Sequence, residues 1–241
     1  NDTMKKIRLY QNTVFKVGDK VSLEKNNEHH LLKVLRFPVG NTVTLFNGDG
    51  FDYQAIVIST KKTCKVEVLS QQKNESESSL DLTLAQGIAK GEKMDFLIQK
   101  AVELGVTRII PIQTERCVVR LKTDKVAKRI DHWQKIANHA CAQSGRSVIV
   151  DILLPQTLSE LLSKPNHNGF VLHHRATENL QMMEKPSKAT ILIGPEGGLS
   201  DNEIKQAITA GFQPILLGKR ILRTETTSLV AIANMQLLWG S

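Results

Sequence analysis

A glycine-rich segment with a single carboxylate is the first part of the sequence that could bind a ligand. Residues 193–200 read IGPEGGLS, follow an apolar run, and precede a helical pattern that begins near Ser200 or Asp201, with Glu203 as a capping-box partner. Glycines in such a turn let a ligand approach the backbone closely. The spacing fits neither the dinucleotide fingerprint nor the phosphate-binding loop, and Glu196 disfavours phosphate. The segment therefore predicts a small-molecule site.

A second segment combines cations with a carboxylate. Residues 216–226 read LLGKRILRTET, so Lys219, Arg220 and Arg223 precede Glu225 at the start of a predicted helix. Glu225 in the first helical turn suits the helix dipole, which makes a capping carboxylate its simplest role. Arg223 ahead of the helix start would instead place a cation near a phosphate.

Both segments follow buried strands in a chain that alternates strands and helices. The predicted strands are 82–88, 108–112, 148–154, 169–173, 190–193 and 214–217, and the predicted helices are 93–104, 124–143, 158–162, 201–210 and 226–238. Continuous apolar strands separated by helices indicate an α/β fold with a mostly parallel sheet covered on both faces. Loops 172–175, 194–198 and 218–223 should then meet at one edge of the sheet, where ligands bind.

The first seventy residues have a different pattern. Strands are predicted at 43–46, 54–58 and 64–69, and an amphipathic helix at 29–36. A small barrel of this kind is often a nucleic-acid platform, although it could also be only a packing appendage. The polar run 71–79 reads as a linker, which divides the chain into an N-terminal domain (1–72), a linker (73–79) and a C-terminal domain (80–241).

Charge and composition narrow the class of protein. The 241 residues include 32 Lys and Arg against 24 Asp and Glu, a net charge of +8, which suits a polyanionic partner or a basic enzyme with scattered surface charge. Cys64, Cys117 and Cys141 lie far apart, so neither a disulfide framework nor a metal site is expected. The sequence has no apolar stretch long enough for a membrane span, and the start lacks the apolar centre of a signal peptide. A cytoplasmic protein is expected.

Taken together, these motifs resemble a known family. Residues 172–176 (LHHRA), 193–200 and 216–229 (LLGKRILRTETTSL) resemble the deep-trefoil-knot SPOUT methyltransferases. Within them the chain is similar to the RsmE family, which methylates N3 of a uridine in small-subunit ribosomal RNA. Residues 99–106 (QKAVELGV), 115–117 (ERC) and 142–146 (AQSGR) add to the match. The resemblance implies a C-terminal SPOUT α/β trefoil-knot domain and an N-terminal PUA-like β-barrel that binds RNA.

The resemblance also implies a cofactor and the residues that bind it. The cofactor would be S-adenosylmethionine, held in a bent shape largely by backbone groups. Mapped by motif, its candidate residues are Leu172, His173, Ile193, Gly194, Glu196, Gly197, Gly198, Leu217, Gly218, Ile221, Leu222 and Thr226. We expect the loop to leave no room for a branched side chain near the ligand, so that Gly198→Val abolishes cofactor binding.

The same resemblance implies catalytic residues and partners. Arg223 would act as electrostatic stabiliser and Glu225 as orienter or base, with Arg116, Gln143 and Arg146 near the substrate. Arg8, Lys33 and Arg36 would contact RNA phosphates. The substrate would be 16S ribosomal RNA in the assembled small subunit, and the enzyme would be a homodimer that pairs through its last helix, with no metal and no membrane. A transfer-RNA or 2′-O-ribose methyltransferase and a non-catalytic RNA-binding assembly factor are the alternatives.

Overall fold

The structure, a computed structural model, describes residues 7–120, 123–165, 168–173, 176–178 and 180–241. His174 and Arg175, which belong to one of the three predicted ligand loops, lie outside these residues. The chain divides into two compact units. The first is Asn1–Glu77 together with Cys141–Ile149, and the second is Ser78–Ala140 together with Val150–Ser241. Within the described residues, no helix has the length and apolar character that crossing a membrane requires.

The first unit is built on a curled sheet of five strands in the described part of the chain. They are β1 (Arg8–Tyr10), β2 (Lys20–Ser22), β3 (Thr42–Phe46), β4 (Phe51–Ser59) and β5 (Lys65–Lys73), in the order β1-β3-β4-β5-β2. β1 runs parallel to β3, and the other pairs are antiparallel. Alternate residues of β4 point inward, so Tyr53, Ala55 and Val57 join the core. The short strands β1 and β2 carry too few residues to show this alternation in the sequence.

Two local predictions for this unit are corrected by the structure. Helix α1 (Lys25–His29) begins earlier than expected and continues as a wider π-helical turn over His30–Val34. It ends before Arg36, which has φ 51° two residues ahead of Pro38. β5 extends to Lys73, which pairs with Phe51, so the first residues of the polar run are strand rather than linker.

The second unit contains a parallel sheet flanked by helices, as predicted. Its strands are β6 (Asp81–Gly87), β7 (Arg108–Gln113), β8 (Asp151–Ile152), β9 (Gln156–Thr157), β10 (Gly169–Leu172), β11 (Lys188–Ile193) and β12 (Gln213–Ile215). The order is β12-β10-β11-β6-β7-β8, with β9 beside β7, and every recorded pairing is parallel. The predicted strand 148–154 is reduced to the two residues of β8, and residues 148 and 149 of the predicted strand belong to the first unit.

The helices after α1 lie where the sequence predicts them, within one to two residues. They are α2 (Glu92–Glu103), α3 (Thr123–Ser144), α4 (Leu158–Leu162), α5 (Asp201–Thr209) and α6 (Thr224–Trp239), with a 3₁₀ turn at Leu180–Met182. The predicted capping box of α5 is confirmed, since Ser200 Oγ accepts from Glu203 N at 3.1 Å and Glu203 Oε2 accepts from Ser200 N at 2.9 Å. This cap fixes where the glycine-rich loop ends and the helix begins.

Candidate functional site

The loops that leave the carboxyl ends of the parallel strands contact one another around residues 194–198. Lys90 N, after β6, donates to Glu196 Oε1 at 2.9 Å. Arg116 Nη1, after β7, donates to Gly197 O at 3.0 Å. Thr224 Oγ1, which follows the loop after β12, donates to Gly194 O at 2.6 Å. The edge predicted to bind a ligand is therefore formed by at least four loops of one unit.

Glycine is required in this loop for two different reasons. A Cβ on Gly194 would lie 2.6 Å from Gly198 C and from Leu199 N, so only glycine allows the loop to fold back on itself. Gly198 has φ +68° and Gly218 has φ +118°, and no protein atom lies within 4 Å of a Cβ built on either. The protein's own atoms therefore leave room beside Gly198, and the lack of room near the ligand stays a prediction. The constraint there is the backbone conformation, and the steric constraint falls on Gly194.

The side chains of the loop after β12 are mostly open to solvent. Ile221 is 99% exposed, and Leu217 and Leu222 are partly buried. Leu172, at the end of β10, is also partly buried, and His173 N donates to Ile215 O at 3.1 Å, which ties the β10 and β12 ends together. The loops therefore offer apolar side chains and glycine backbone at the same edge.

At the start of α6, the predicted cation and the predicted carboxylate differ in exposure and in hydrogen bonding. Arg223 is the exposed N-cap residue, and its guanidinium makes no hydrogen bond or ion pair with any described residue. Glu225 is partly buried, and its Oε2 is a buried oxygen without a hydrogen-bond partner among the described residues. Thr226 is exposed. A buried carboxylate oxygen without a partner is costly, so Glu225 is poised to accept a hydrogen bond from a bound group.

The loop that carries Arg116 is anchored by a buried carboxylate that sequence reasoning assigned only to a helix cap. Glu203 is 2% exposed, and its Oε1 accepts from Glu115 N at 2.8 Å while Oε2 serves the cap of α5. Arg116 itself holds the glycine loop through Gly197 O, with a longer contact to Leu199 O at 3.4 Å. In this structure Arg116 supports the loop.

Gln143 and Arg146 belong to the first unit, whereas Arg116, Arg223 and Glu225 belong to the second. Gln143 is exposed. Arg146 is 4% exposed and forms a bidentate ion pair with Glu77, with Nε–Oε1 at 2.8 Å and Nη2–Oε2 at 2.7 Å. A buried fork of this kind is a structural bond of the first unit. The structure therefore does not gather all five predicted catalytic residues within one unit.

Arg8 is also engaged inside the first unit. Its Nη1 donates to Asp52 Oδ2 at 3.0 Å, its Nη2 donates to Ser147 Oγ at 2.7 Å and to Arg146 O at 3.1 Å, and its guanidinium lies 5.2 Å from the centre of the Phe46 ring. With a side chain only 14% exposed, Arg8 differs from the expected phosphate contact. Lys33 and Arg36, by contrast, are exposed.

Replacing Asp52 by asparagine should destabilise the first unit in a pH-dependent way. Burial raises the pKa of Asp52, but hydrogen bonds from Arg8, Ser147 and Asn74 outweigh burial, and the net pKa is lowered. The stabilisation by the ionised carboxylate is complete above the unfolded-state pKa of about 3.9 and is lost as the pH falls through the lower folded-state pKa. In melts between pH 2 and pH 7, the difference in Tm between Asp52→Asn and the parent should therefore shrink at the acid end.

The exposed Asp131, which pairs with Lys135 at 2.7 Å, supplies the control. Asp131→Asn should change Tm little at any pH, because exposed pairs stabilise weakly. A Tm difference for Asp52→Asn that is the same at every pH would contradict the assignment.

Gln86 is the residue of this site that sequence reasoning missed. Its side chain is fully buried, and its amide contacts Gly87 O, Gly194 O and Thr224 Oγ1. The available signal was a glutamine inside a strand that was predicted to be buried. Among the described residues, no group of three or more His, Cys, Asp or Glu side chains could hold a metal ion.

Comparison with known proteins agrees with the predicted family and fold. Residues 76–236 match the RNA methyltransferase domain, and residues 23–69 match the RNA methyltransferase PUA domain. The fold and site thus define an RNA methyltransferase with an α/β catalytic domain and an N-terminal PUA domain.

Relatives specify the family further. The chain is 36% identical to ribosomal RNA small subunit methyltransferase E of Buchnera aphidicola, over 90% of this chain and 88% of that protein. The crystal structure of ribosomal RNA small subunit methyltransferase E from Neisseria gonorrhoeae bound to S-adenosylmethionine is 40% identical, with a TM-score of 0.91, covering 98% of this chain and 99% of that one. A methyltransferase from Legionella pneumophila, also with bound S-adenosylmethionine, has a TM-score of 0.95 at 36% identity and covers 99% of this chain and 100% of that one. The chain belongs to the ribosomal RNA small subunit methyltransferase E family.

Proposed function

We propose that the protein transfers a methyl group from S-adenosylmethionine to N3 of a uridine in 16S ribosomal RNA of the small subunit. The observation that carries the proposal is the edge where the glycine loop meets the start of α6 with its exposed Arg223 and partly buried Glu225. Similarity to two structures solved with S-adenosylmethionine supports the cofactor, and the names of the relatives support the RNA.

The residues at this edge fit such a cofactor. Open space beside the Cα atoms of Gly198 and Gly218 lets a ligand lie against the backbone, and Leu172, Leu217 and Leu222 supply partly buried apolar surface for an adenine ring. The remaining residues that we assign to cofactor binding are His173, Ile193, Gly194, Glu196, Gly197, Ile221 and Thr226. The cofactor supplies a methyl group on a positively charged sulfur, which is chemistry that no side chain of the protein provides.

Methylation of uracil N3 requires the protein's own residues to act on the proton that this nitrogen carries. That nitrogen carries a proton at neutral pH, so the site must remove or mask it and stabilise the negative charge that spreads onto the neighbouring carbonyl oxygens. Arg223, which has no side-chain partner in the described part of the chain, is placed to stabilise that charge. Glu225, which has one buried oxygen without a partner among the same residues, is placed to accept the proton or orient the ring. Arg116 holds the loop beside them, and Gln143 and Arg146 stay predicted contributors.

We propose the predicted trefoil knot, for which the path of the chain after β12 supplies a required crossing. β12 lies at one end of the sheet, but Thr224, soon after it, bonds to Gly194 after β11 and to Gln86 on β6. The chain therefore passes β10 to reach the middle of the sheet.

We also propose a cytoplasmic homodimer that pairs through α6, on which Leu237 is 79% exposed.

RNA binding by the first unit should depend on Lys33 and Arg36. Both are exposed, so replacing them together by alanine removes cations without breaking a recorded contact. If each contacts a phosphate, the double variant should bind small subunits more weakly, and the slope of log affinity against log salt should flatten by roughly one unit per contact. Filter binding at several salt concentrations measures both.

The matched control removes the exposed Lys61 and Lys62 from the turn between β4 and β5 of the same unit. That double variant loses the same charge and should keep the parent slope. If the two double variants behave alike, the first unit contributes only general electrostatics or packing.

The proposed function is tested in two steps. Calorimetry with S-adenosylhomocysteine asks whether the protein binds the cofactor class at all, which a non-catalytic assembly factor need not do. Incubation with unmethylated small subunits and labelled cofactor, followed by mass mapping of the ribosomal RNA, then asks where the methyl group goes. A methyl group on a ribose, or on transfer RNA offered in parallel, would overturn the proposed substrate.

A further inference from the structure

One buried amide connects three elements that meet at the site. Gln86 lies in β6, where its backbone is in register with Ile193 of β11, the residue just before the glycine loop. Its Nε2 donates to Gly87 O at 2.9 Å and to Thr224 Oγ1 at 3.0 Å, with a longer contact to Gly194 O at 3.3 Å. Its Oε1 accepts from Ser228 Oγ at 2.6 Å.

The shortest hydrogen bonds of this cluster form one consistent arrangement of donors and acceptors. Thr224 Oγ1 accepts from Gln86, so its own proton is free to donate to Gly194 O at 2.6 Å. Gln86 Nε2 uses both protons on acceptors, and Gln86 Oε1 receives the Ser228 hydroxyl proton. Gln86, Thr224 and Ser228 are buried, so a partner lost by one of these side chains cannot be replaced cheaply.

The cluster joins the cofactor loop to the catalytic end of α6. Gly194 begins the glycine loop, and Thr224 lies between Arg223 and Glu225 on the helix start. A shift of Thr224 relative to Gly194 would move Arg223 and Glu225 relative to the bound cofactor. Misplacement by even about 1 Å costs on the order of 100-fold in rate when reacting groups must be aligned.

We propose that Gln86 and Thr224 are positioning residues of the methyl transfer, which fix the start of α6 against the glycine loop by the Gln86–Thr224–Gly194 hydrogen bonds. Neither residue needs to touch the substrate, and both act through Gly194, Arg223 and Glu225. The proposal rests on the proposed function, because it assigns a role within that reaction.

The first test compares two substitutions at Thr224. Thr224→Ser keeps the hydroxyl and should keep the affinity for S-adenosylhomocysteine and the single-turnover rate close to those of the parent. Thr224→Val keeps the shape but removes the hydroxyl, which breaks the link from Gln86 to Gly194 through Thr224 and leaves Gly194 O only its longer contact with Gln86 Nε2. We expect it to weaken calorimetric affinity by about tenfold and to slow single-turnover methylation at saturating cofactor by more than that.

The second test separates positioning from stability. Gln134 offers a matched glutamine in the same unit, because its Nε2 donates to Val150 O at 2.9 Å and its Oε1 accepts from Ile152 N at 3.0 Å, which holds β8 rather than the site. Gln86→Leu and Gln134→Leu should both lower Tm. Measured well below both melting temperatures, only Gln86→Leu should lose cofactor affinity and single-turnover rate.

The outcomes distinguish the possible failures. Thr224→Val with the affinity and rate of Thr224→Ser would overturn the positioning role, as would a Gln86→Leu protein that is less stable but kinetically unchanged. If the parent protein itself neither binds S-adenosylhomocysteine nor methylates RNA, the proposed function fails, and this result is visible before any variant is compared.

Discussion

Arg223→Ala should lower the single-turnover rate of RNA methylation by about 100-fold or more, while affinity for cofactor and small subunits changes little. A positive donor aimed at charge that develops only in the transition state affects the rate and not the binding of the ground state. Arg223 suits this role because its guanidinium is exposed at the helix start and has no partner among the described residues. Single-turnover kinetics at saturating cofactor, with binding measured separately, check the result.

Two further variants sharpen this experiment. Arg223→Lys should recover little of the rate if two directed hydrogen bonds are needed, since lysine lacks the planar fork. Arg220→Ala removes another exposed cation from the same loop and should leave the rate close to that of the parent. The competing role, in which Arg223 braces the dimer, predicts a lower Tm or dissociation in light scattering instead. A stable Arg223→Ala protein with the parent rate would remove Arg223 from the mechanism.

Gly194→Ala should reduce cofactor affinity by about 100-fold or more. The new Cβ would lie 2.6 Å from backbone atoms of Gly198 and Leu199, which are not flexible side-chain ends and cannot move without reshaping the whole loop. The same change would disturb Gly194 O, which accepts the Thr224 hydroxyl. Because the proposed cofactor contacts are mostly backbone groups of this loop, the loss should appear directly in calorimetry with S-adenosylhomocysteine.

A second glycine controls for the general cost of adding a methyl group. Gly105 follows α2 with φ +94°, and a Cβ there would lie 2.8 Å from Gln236 Nε2, the end of a flexible side chain. Gly105→Ala should lower Tm but leave the calorimetric affinity near that of the parent. Equal losses of affinity in both variants would mean that Gly194 acts only through global stability.

The fold of the second unit was largely predictable because its elements are long and its strands are buried on both faces. Most residues of β6 and β11 are buried, and α5 carries a capping box that the sequence shows directly. The first unit was less predictable, since β1 and β2 have three residues each and their pairing is decided by distant partners. The prediction of a strand over residues 148–154 was wrong for most of its length. An apolar run alone does not say whether its residues form a strand or which unit they join.

Motifs in the sequence predicted part of the candidate site but not the partners of its buried side chains. The glycine loop and the start of α6 were found from residue types and spacing, and the structure brings them into contact. Arg8 and Arg146 carry the same side chain as Arg223, but Asp52 and Glu77 neutralise them inside the first unit. Nothing local in the sequence reveals those partners, because Arg8 and Arg146 each pair across a long stretch of chain. Gln86 was missed for the same reason, since its partners lie in two later segments.

The first unit consists of two separate stretches of the chain, and this affects when it can fold during synthesis. Arg8 donates to Arg146 O and Ser147 Oγ, Asn74 donates to Gly145 O, and Gly50 N donates to Ser147 O. These acceptors are synthesised long after the five strands, on the order of several seconds later at typical translation rates. Until then, Arg8 and Asp52 of the nascent first unit lack the hydrogen bonds that they make with residues 146 and 147 in the folded protein. An N-terminal fragment that stops at Glu77 should therefore be poorly folded, and its folding should improve when residues 141–149 are supplied as a peptide.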